Sequence, residues 1–198
     1  MAMGLTERDR AKADRHRSLL RAAARLFAEK GFSGVSLEEL GAAVGVSGPA
    51  VYRHFANKQA LLAEILIGVS ERLLSGGREV VAGQTDARTR LVKLVDFHVD
   101  FALADADVIR VHDRDLASLT AEHRTTVREL QRSYVTVWTD TLGKLHPHRT
   151  DDELRVRAHA CLGLINSTPH SVRAARGTTD DAGLHVILRD MAVASLTV

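Results

Sequence analysis

Residues 36–55 read SLEELGAAVGVSGPAVYRHF, and the fold turns on them. Ser36 stands three residues before Glu39. That is the spacing of a capping box, in which hydroxyl and carboxylate satisfy backbone N–H groups at a helix start. Leu37, Leu40 and Val44 follow on one helical face, and Gly45 breaks the helix. Ser47 caps a third, short helix whose first turn holds Pro49, where a missing N–H costs nothing. Two short helices joined by a tight glycine turn make a helix-turn-helix. In that motif the second helix must bury one side and offer the other to a groove. Val46, Ala50, Val51 and Phe55 can be buried; Ser47, Gly48, Pro49, Tyr52, Arg53 and His54 are left facing out. The helix start at Ser47 favours phosphate.

Towards the N-terminus, a first helix is expected from about residue 10 to Lys30, with Leu19, Ala23, Leu26 and Phe27 as its apolar stripe and Gly31 as its stop. Arg8, Arg10, Lys12, Arg15 and Arg17 crowd its beginning, at the positive end of the helix dipole. An anion would relieve that placement. Residues 1–60 hold 10 Lys/Arg against 6 Asp/Glu, a net of +4, and residues 61–198 hold 17 against 19, a net of −2. A basic start on a mildly acidic body points to a polyanionic partner at the N-terminal end.

Towards the C-terminus, Asn57 caps a fourth helix carrying Leu61, Leu62, Ile65, Leu66, Val69 and Leu73. Five more helices are expected at about 86–104, 106–114, 119–144, 151–176 and 181–196, with a second capping box at Thr150 and Glu153. Pro169 should bend the helix it sits in. The fold class is therefore all-α, with about nine helices. Residues 1–56 are expected as an N-terminal three-helix unit around the helix-turn-helix, and residues 57–198 as a second, helical unit.

The 198 residues are 45% apolar and 26% charged, ordinary for a globular chain. No apolar run reaches a membrane span of about 18 residues. The N-terminus is charged and lacks a secretory signal, and Cys161 is the single cysteine, so a cytoplasmic protein is expected. There is no Gly-rich phosphate loop, nucleophile turn or zinc pattern. His98, His112, His123, His146, His148, His159 and His170 are not spaced as metal ligands. No enzyme, metal or cofactor is expected. The alternatives are a helical protein-interaction adaptor on the same fold, or an all-helical enzyme.

The longer string GVSGPAVYRHFANKQALLAEI, residues 45–65, resembles the signature of the TetR family of repressors at Gly45, Val46, Ser47, Tyr52, His54, Phe55, Lys58 and Leu61. Upstream, AAARLFAEKGFSGVSLEELGAAVGVS is similar to the family's first two helices. The resemblance implies a homodimer that reads a palindromic operator in double-stranded DNA and answers to a small-molecule effector. It implies Ser36, Ser47, Gly48, Pro49, Tyr52, His54 and Lys58 as DNA contacts. Tyr52, His54 and Lys58 would hold phosphates. Base readout would fall to Ser47, Gly48, Pro49 and Arg53.

In the body, aromatic residues gather around a candidate effector site: Phe97, His98, Phe101, Val108, Val111, Tyr134, Trp138, Leu164, Asn166 and Thr168. Residues of these types are more often core than ligand contacts. Leu154, Ala158, Cys161, Ile165, Thr168 and Val172 share one helix face, and Leu184, Ile187, Leu188, Met191 and Ser195 another. These stripes either close the protomer or pair with a second copy; the resemblance favours pairing, with Cys161, Ile165, Leu184, Ile187, Leu188 and Met191 at the interface. Gly76-Gly77 would localise bending in the fourth helix.

Overall fold

The computed structural model describes residues 7–168 and 180–198. These residues form helices and connecting loops, in the order α1 (Glu7–Lys30), α2 (Leu37–Ala43), α3 (Gly48–Val51), α4 (Lys58–Ala82), α5 (Ala87–Ala104), α6 (Ala106–Asp115), a 3-10 turn (Leu116–Ser118), α7 (Ala121–Leu145), α8 (Asp151–Ile165) and α9 (Asp181–Thr197). Packing divides the chain into two units. One holds the chain up to Leu66 together with Arg110–Arg124, and the other holds Ile67–Ile109 and Thr125–Val198. The first unit thus extends past residue 56 into α4 and recruits the end of α6.

In the first unit, Leu19, Ala23, Leu26 and Phe27 of α1 are buried with Leu37, Leu40, Val51, Phe55, Leu61, Leu62 and Leu66. The caps follow the sequence. Ser36 Oγ accepts from Glu39 N at 3.1 Å, and Asn57 Oδ1 from Ala60 N at 2.8 Å. Gly45 sits at φ +71, the left-handed geometry that the turn between α2 and α3 demands. The polar run at 110–115 has a structural task. Arg114 donates to the carbonyls of Phe27 and Ala28 at the end of α1 and pairs with the buried Asp115 at 3.1 Å. A guanidinium at a helix C-terminus meets the negative end of the dipole.

In the second unit, α5, α7, α8 and α9 share one core. It contains Leu91, Leu94, Val95, Val99, Trp138, Leu142, Leu154, Ala158, Cys161, Ile165, Leu188 and Leu196. Arg189 of α9 donates to Asp96 of α5 at 2.9 Å. Thr150 caps α8 as expected, accepting from Glu153 N at 3.3 Å. Asp86 and Asp180 cap α5 and α9 in the same way, at 2.7 and 2.8 Å.

Two expectations change. α8 ends at Ile165, not at 176. A proline at 169 has no N–H to offer the carbonyl of residue 165. The expected bend at Pro169, together with His170 and Val172, lies outside the described residues. Gly76 and Gly77 are not a free hinge. A Cβ on Gly76 would stand 2.5 Å from Phe97 Cζ, and one on Gly77 2.6 Å from Tyr134 Cε2. The two glycines let aromatic rings lie directly against the α4 backbone, a closeness that any side chain would forbid.

Candidate nucleic-acid interface and body core

The helix-turn-helix is held by close backbone approach. A Cβ on Gly41 would fall 2.7 Å from the Val46 carbonyl oxygen, so only glycine lets α2 meet the turn into α3 here. Val51 and Phe55 anchor the far side of α3 in the core. This orients the remaining side chains. Ser47, Pro49, Tyr52 and Arg53 are exposed, and Gly48 and His54 are half-buried. Tyr52, with 52% of its surface exposed, is no core aromatic.

Ser47 departs from expectation in one respect. It occupies the cap position, but its hydroxyl makes no cap hydrogen bond. Pro49 has no N–H to give it, and Ala50 N donates to the Ser47 carbonyl instead, at 2.9 Å. The hydroxyl is left for another partner. Ser36, Tyr52 and Lys58 line one open groove of about 520 Å³ with Ser33, Gly34 and Asn57. Lys58 is partly engaged already: Nζ donates to the Val35 carbonyl at 2.8 Å and lies 4.5 Å from the centre of the Phe32 ring. Its remaining donors are available to an anion. His54 is held below the ordinary histidine range by burial, and next by the charges of His16, Lys12 and Arg15. Beside it, the His16 ring stacks on Phe55 at 4.8 Å and bonds the Glu64 carboxylate. Of the basic run in α1, Arg15 donates to the Val44 carbonyl at 3.2 Å and Arg17 pairs with Asp14.

In the second unit, the aromatic residues singled out from the sequence do come together. His98 is buried between Tyr134 Oη and Asn166 Oδ1, each 3.1 Å from a ring nitrogen. Phe101, Tyr134 and Trp138 surround it, with ring centres 5.6, 5.6 and 5.8 Å away. Trp138 is fully buried, yet its indole N–H has no acceptor among the described residues. Thr168 is buried and donates to the Ala102 carbonyl at 3.1 Å, and Leu164 is half-buried. Val108 is buried in the same unit. Val111 is different: it is buried in the first unit, so it does not belong to this cluster.

Burial drives the His98 pKa down to about 4, with the Asn166 bond opposing it. His98 is therefore neutral in the fold and basic in the unfolded chain. A depressed histidine pKa gives stability that is complete above the unfolded value of about 6.5 and is lost as pH falls from there towards 4. The expected loss across that window is roughly 3 kcal/mol. Urea unfolding at neutral pH and near pH 4 reads it as a difference between the parent and His98→Gln. A difference that does not change with pH would contradict the assignment.

The proposed interface residues also divide. Cys161, Ile165, Leu184 and Leu188 are buried in the protomer's own core, and burial pushes the Cys161 thiol up to about 12. Only Ile187 and Met191 are open, 50% and 52% exposed. Ala194 on α9 and Val156, Ala160 and Gly163 on α8 are exposed at the same helical spacing. The sequence pattern shows one apolar stripe on each helix, and the protomer core takes most of both.

Among the described residues, no group of three or more His, Cys, Asp or Glu is placed to hold a metal ion. No described helix is long and apolar enough to cross a membrane.

Comparison with known proteins places this geometry. The profile of bacterial regulatory proteins of the tetR family matches residues 19–65, and that of the tetracyclin repressor-like C-terminal domain matches residues 84–193. The HTH-type transcriptional repressor KstR2 of Rhodococcus jostii is 30% identical over 132 residues, 66% of this chain and 65% of its own length. The chain thus spans just under two thirds of that relative. A TetR-family regulator from Bordetella parapertussis superposes with a TM-score of 0.79 at 23% identity, covering 89% of this chain and 93% of its own. AibR, solved with isovaleryl coenzyme A and operator DNA, does so at 0.72 and 20%, covering 89% and 97%. At these identities the likeness to solved structures is one of fold.

Proposed function

Because this chain belongs to the tetR family of bacterial regulatory proteins, we propose that it is a ligand-responsive repressor that binds a palindromic operator as a homodimer. The carrying observation is the exposed surface at α3 and the turns that flank it, where Ser47, Pro49, Tyr52 and Arg53 are exposed and the Ser47 hydroxyl makes no cap bond. Residues 1–56 act as the DNA-binding domain and 57–198 as the effector and dimer domain. Tyr52, His54, Lys58 and Ser36 hold phosphates; Ser47, Gly48, Pro49 and Arg53 read bases. With so few hydrogen-bonding groups on α3, part of the specificity comes from DNA shape.

The effector is a small amphipathic molecule such as an acyl-coenzyme A. Two observations support it: AibR, which shares the fold, was solved with isovaleryl coenzyme A, and the indole N–H of Trp138 has no acceptor among the described residues. A ligand carbonyl beside that N–H would remove the cost of leaving it unpaired. Phe97, His98, Phe101, Tyr134, Leu164, Asn166 and Thr168 complete the site. Effector binding shifts the population towards headpiece spacings that miss half-sites one helical turn apart.

The test is fluorescence anisotropy of the full chain on DNA from upstream of its own gene, with a scrambled duplex as control and isovaleryl coenzyme A as probe. The operator should be preferred at moderate salt, and the probe should release it. Equal affinity for both duplexes would overturn the repressor reading and leave the adaptor.

A further inference from the structure

The second unit contains a cavity of about 330 Å³, and none of its lining residues belongs to the aromatic cluster around His98. Small-molecule sites start at about 300 Å³, so the space is larger than a lone ion requires. Arg78 comes from α4, Arg90 from α5, and Ser133, Thr136, Asp140 and Lys144 from α7. Three cations thus face one carboxylate.

The cations are poorly used within the fold. Arg78 and Lys144 make no ion pair or hydrogen bond among the described residues. Arg90 donates through one guanidinium nitrogen to the Gln84 carbonyl, but its Nε is buried with no acceptor among the described residues. Buried donors are almost always paired, and this unpaired one belongs to a residue that lines the cavity. Asp140 likewise makes no ion pair or hydrogen bond among the described residues, and it lines the same cavity as the cations without bonding any of them.

We propose that this cavity binds a small phosphate monoester carrying hydroxyl groups, as a sugar phosphate or a nucleotide does. A phosphate carries close to two charges and offers several acceptor oxygens, which suits two guanidinium forks and an ammonium better than a carboxylate would. The hydroxyls of Ser133 and Thr136 add donors. Asp140 repels a bare phosphate but accepts from a ligand hydroxyl, so the ester is favoured over the inorganic ion. Val81 and Val137 give the cavity an apolar wall for the carbon frame.

Calorimetric titration of the full chain tests this with ribose 5-phosphate, adenosine 3′,5′-bisphosphate, inorganic phosphate and ribose. Both esters should bind saturably, inorganic phosphate more weakly, and ribose not at all. Preference for one ester identifies the source, a free sugar phosphate or the nucleotide end of a larger cofactor. Arg78→Gln is exposed and keeps the fold; it should weaken ester binding about tenfold or more. Asp140→Asn should narrow the gap between ester and inorganic phosphate. The proposal is overturned if neither ester saturates in the millimolar range, if inorganic phosphate binds as well as the esters, or if Arg78→Gln leaves their affinity unchanged. DNA binding is not among these readouts, so failure here leaves the repressor reading untouched.

Discussion

Replacing Tyr52 and Arg53 together by alanine should cost the protein about a thousandfold in operator affinity, some 4 kcal/mol, while leaving its fold intact. Both side chains are exposed in the turn that follows α3, between the buried Val51 and Phe55, so truncating them removes no core. Exposed substitutions of this kind change stability by about 0.5 kcal/mol or less. In a homodimer each contact occurs twice, which is why two modest side chains carry a large effect. Single variants separate the roles. Tyr52→Ala should weaken operator and scrambled DNA alike, as a lost phosphate contact does. Arg53→Ala should narrow the gap between them if it reads guanine; if it meets phosphate, it should reduce the salt slope by about one unit. Lys58→Ala is a poorer probe, because Nζ also holds the Val35 carbonyl and stability would fall with binding. A double variant that binds like the parent would point to the adaptor.

What the sequence disclosed and what it concealed have physical reasons. Caps and turns are local, so Ser36, Gly45, Asn57 and Thr150 could be read directly. The Asp86 and Asp180 caps used the same chemistry without a glutamate three residues on, and only the fold revealed them. Gly76 and Gly77 looked like a flexible pair because glycine in a helix ordinarily weakens it. Their actual partners, Phe97 and Tyr134, are far along the chain, and no local pattern names them. Val111 shows the same limit: a helix can begin in one packing unit and end in another, and α6 does. The aromatic cluster was readable because aromatic residues are scarce in this chain, 4% overall, so their grouping stood out. The cavity lined by Arg78, Arg90 and Lys144 was not readable, since three well-separated cations look like solvated surface until three helices converge.

The proposed dimer is where periodicity and burial part company, and where a second large effect is expected. An apolar stripe on a helix shows that something covers it, not whether the cover comes from the same chain. Cys161, Ile165, Leu184 and Leu188 are covered within the protomer, so substitutions there test folding. Ile187 and Met191 remain open, beside Ala194 on α9 and near the spacing of Val156, Ala160 and Gly163 on α8. Small residues on one helix and larger apolar ones on the other can interdigitate when two such pairs meet as a four-helix interface. In an isologous dimer each substitution appears twice. Ile187→Asp with Met191→Asp would therefore bury four unpaired carboxylates near the two-fold axis, at a cost well above about 4 kcal/mol. Analytical ultracentrifugation should show a monomer at micromolar concentration, circular dichroism should show an unchanged helix content, and operator affinity should collapse because one headpiece reads only one half-site. Leu188→Ala should do the reverse, lowering the unfolding free energy by about 2–5 kcal/mol through lost core packing while leaving the variant dimeric. If the double aspartate variant stays dimeric with full operator affinity, the subunits meet elsewhere, and the exposed stripe on α9 has another use.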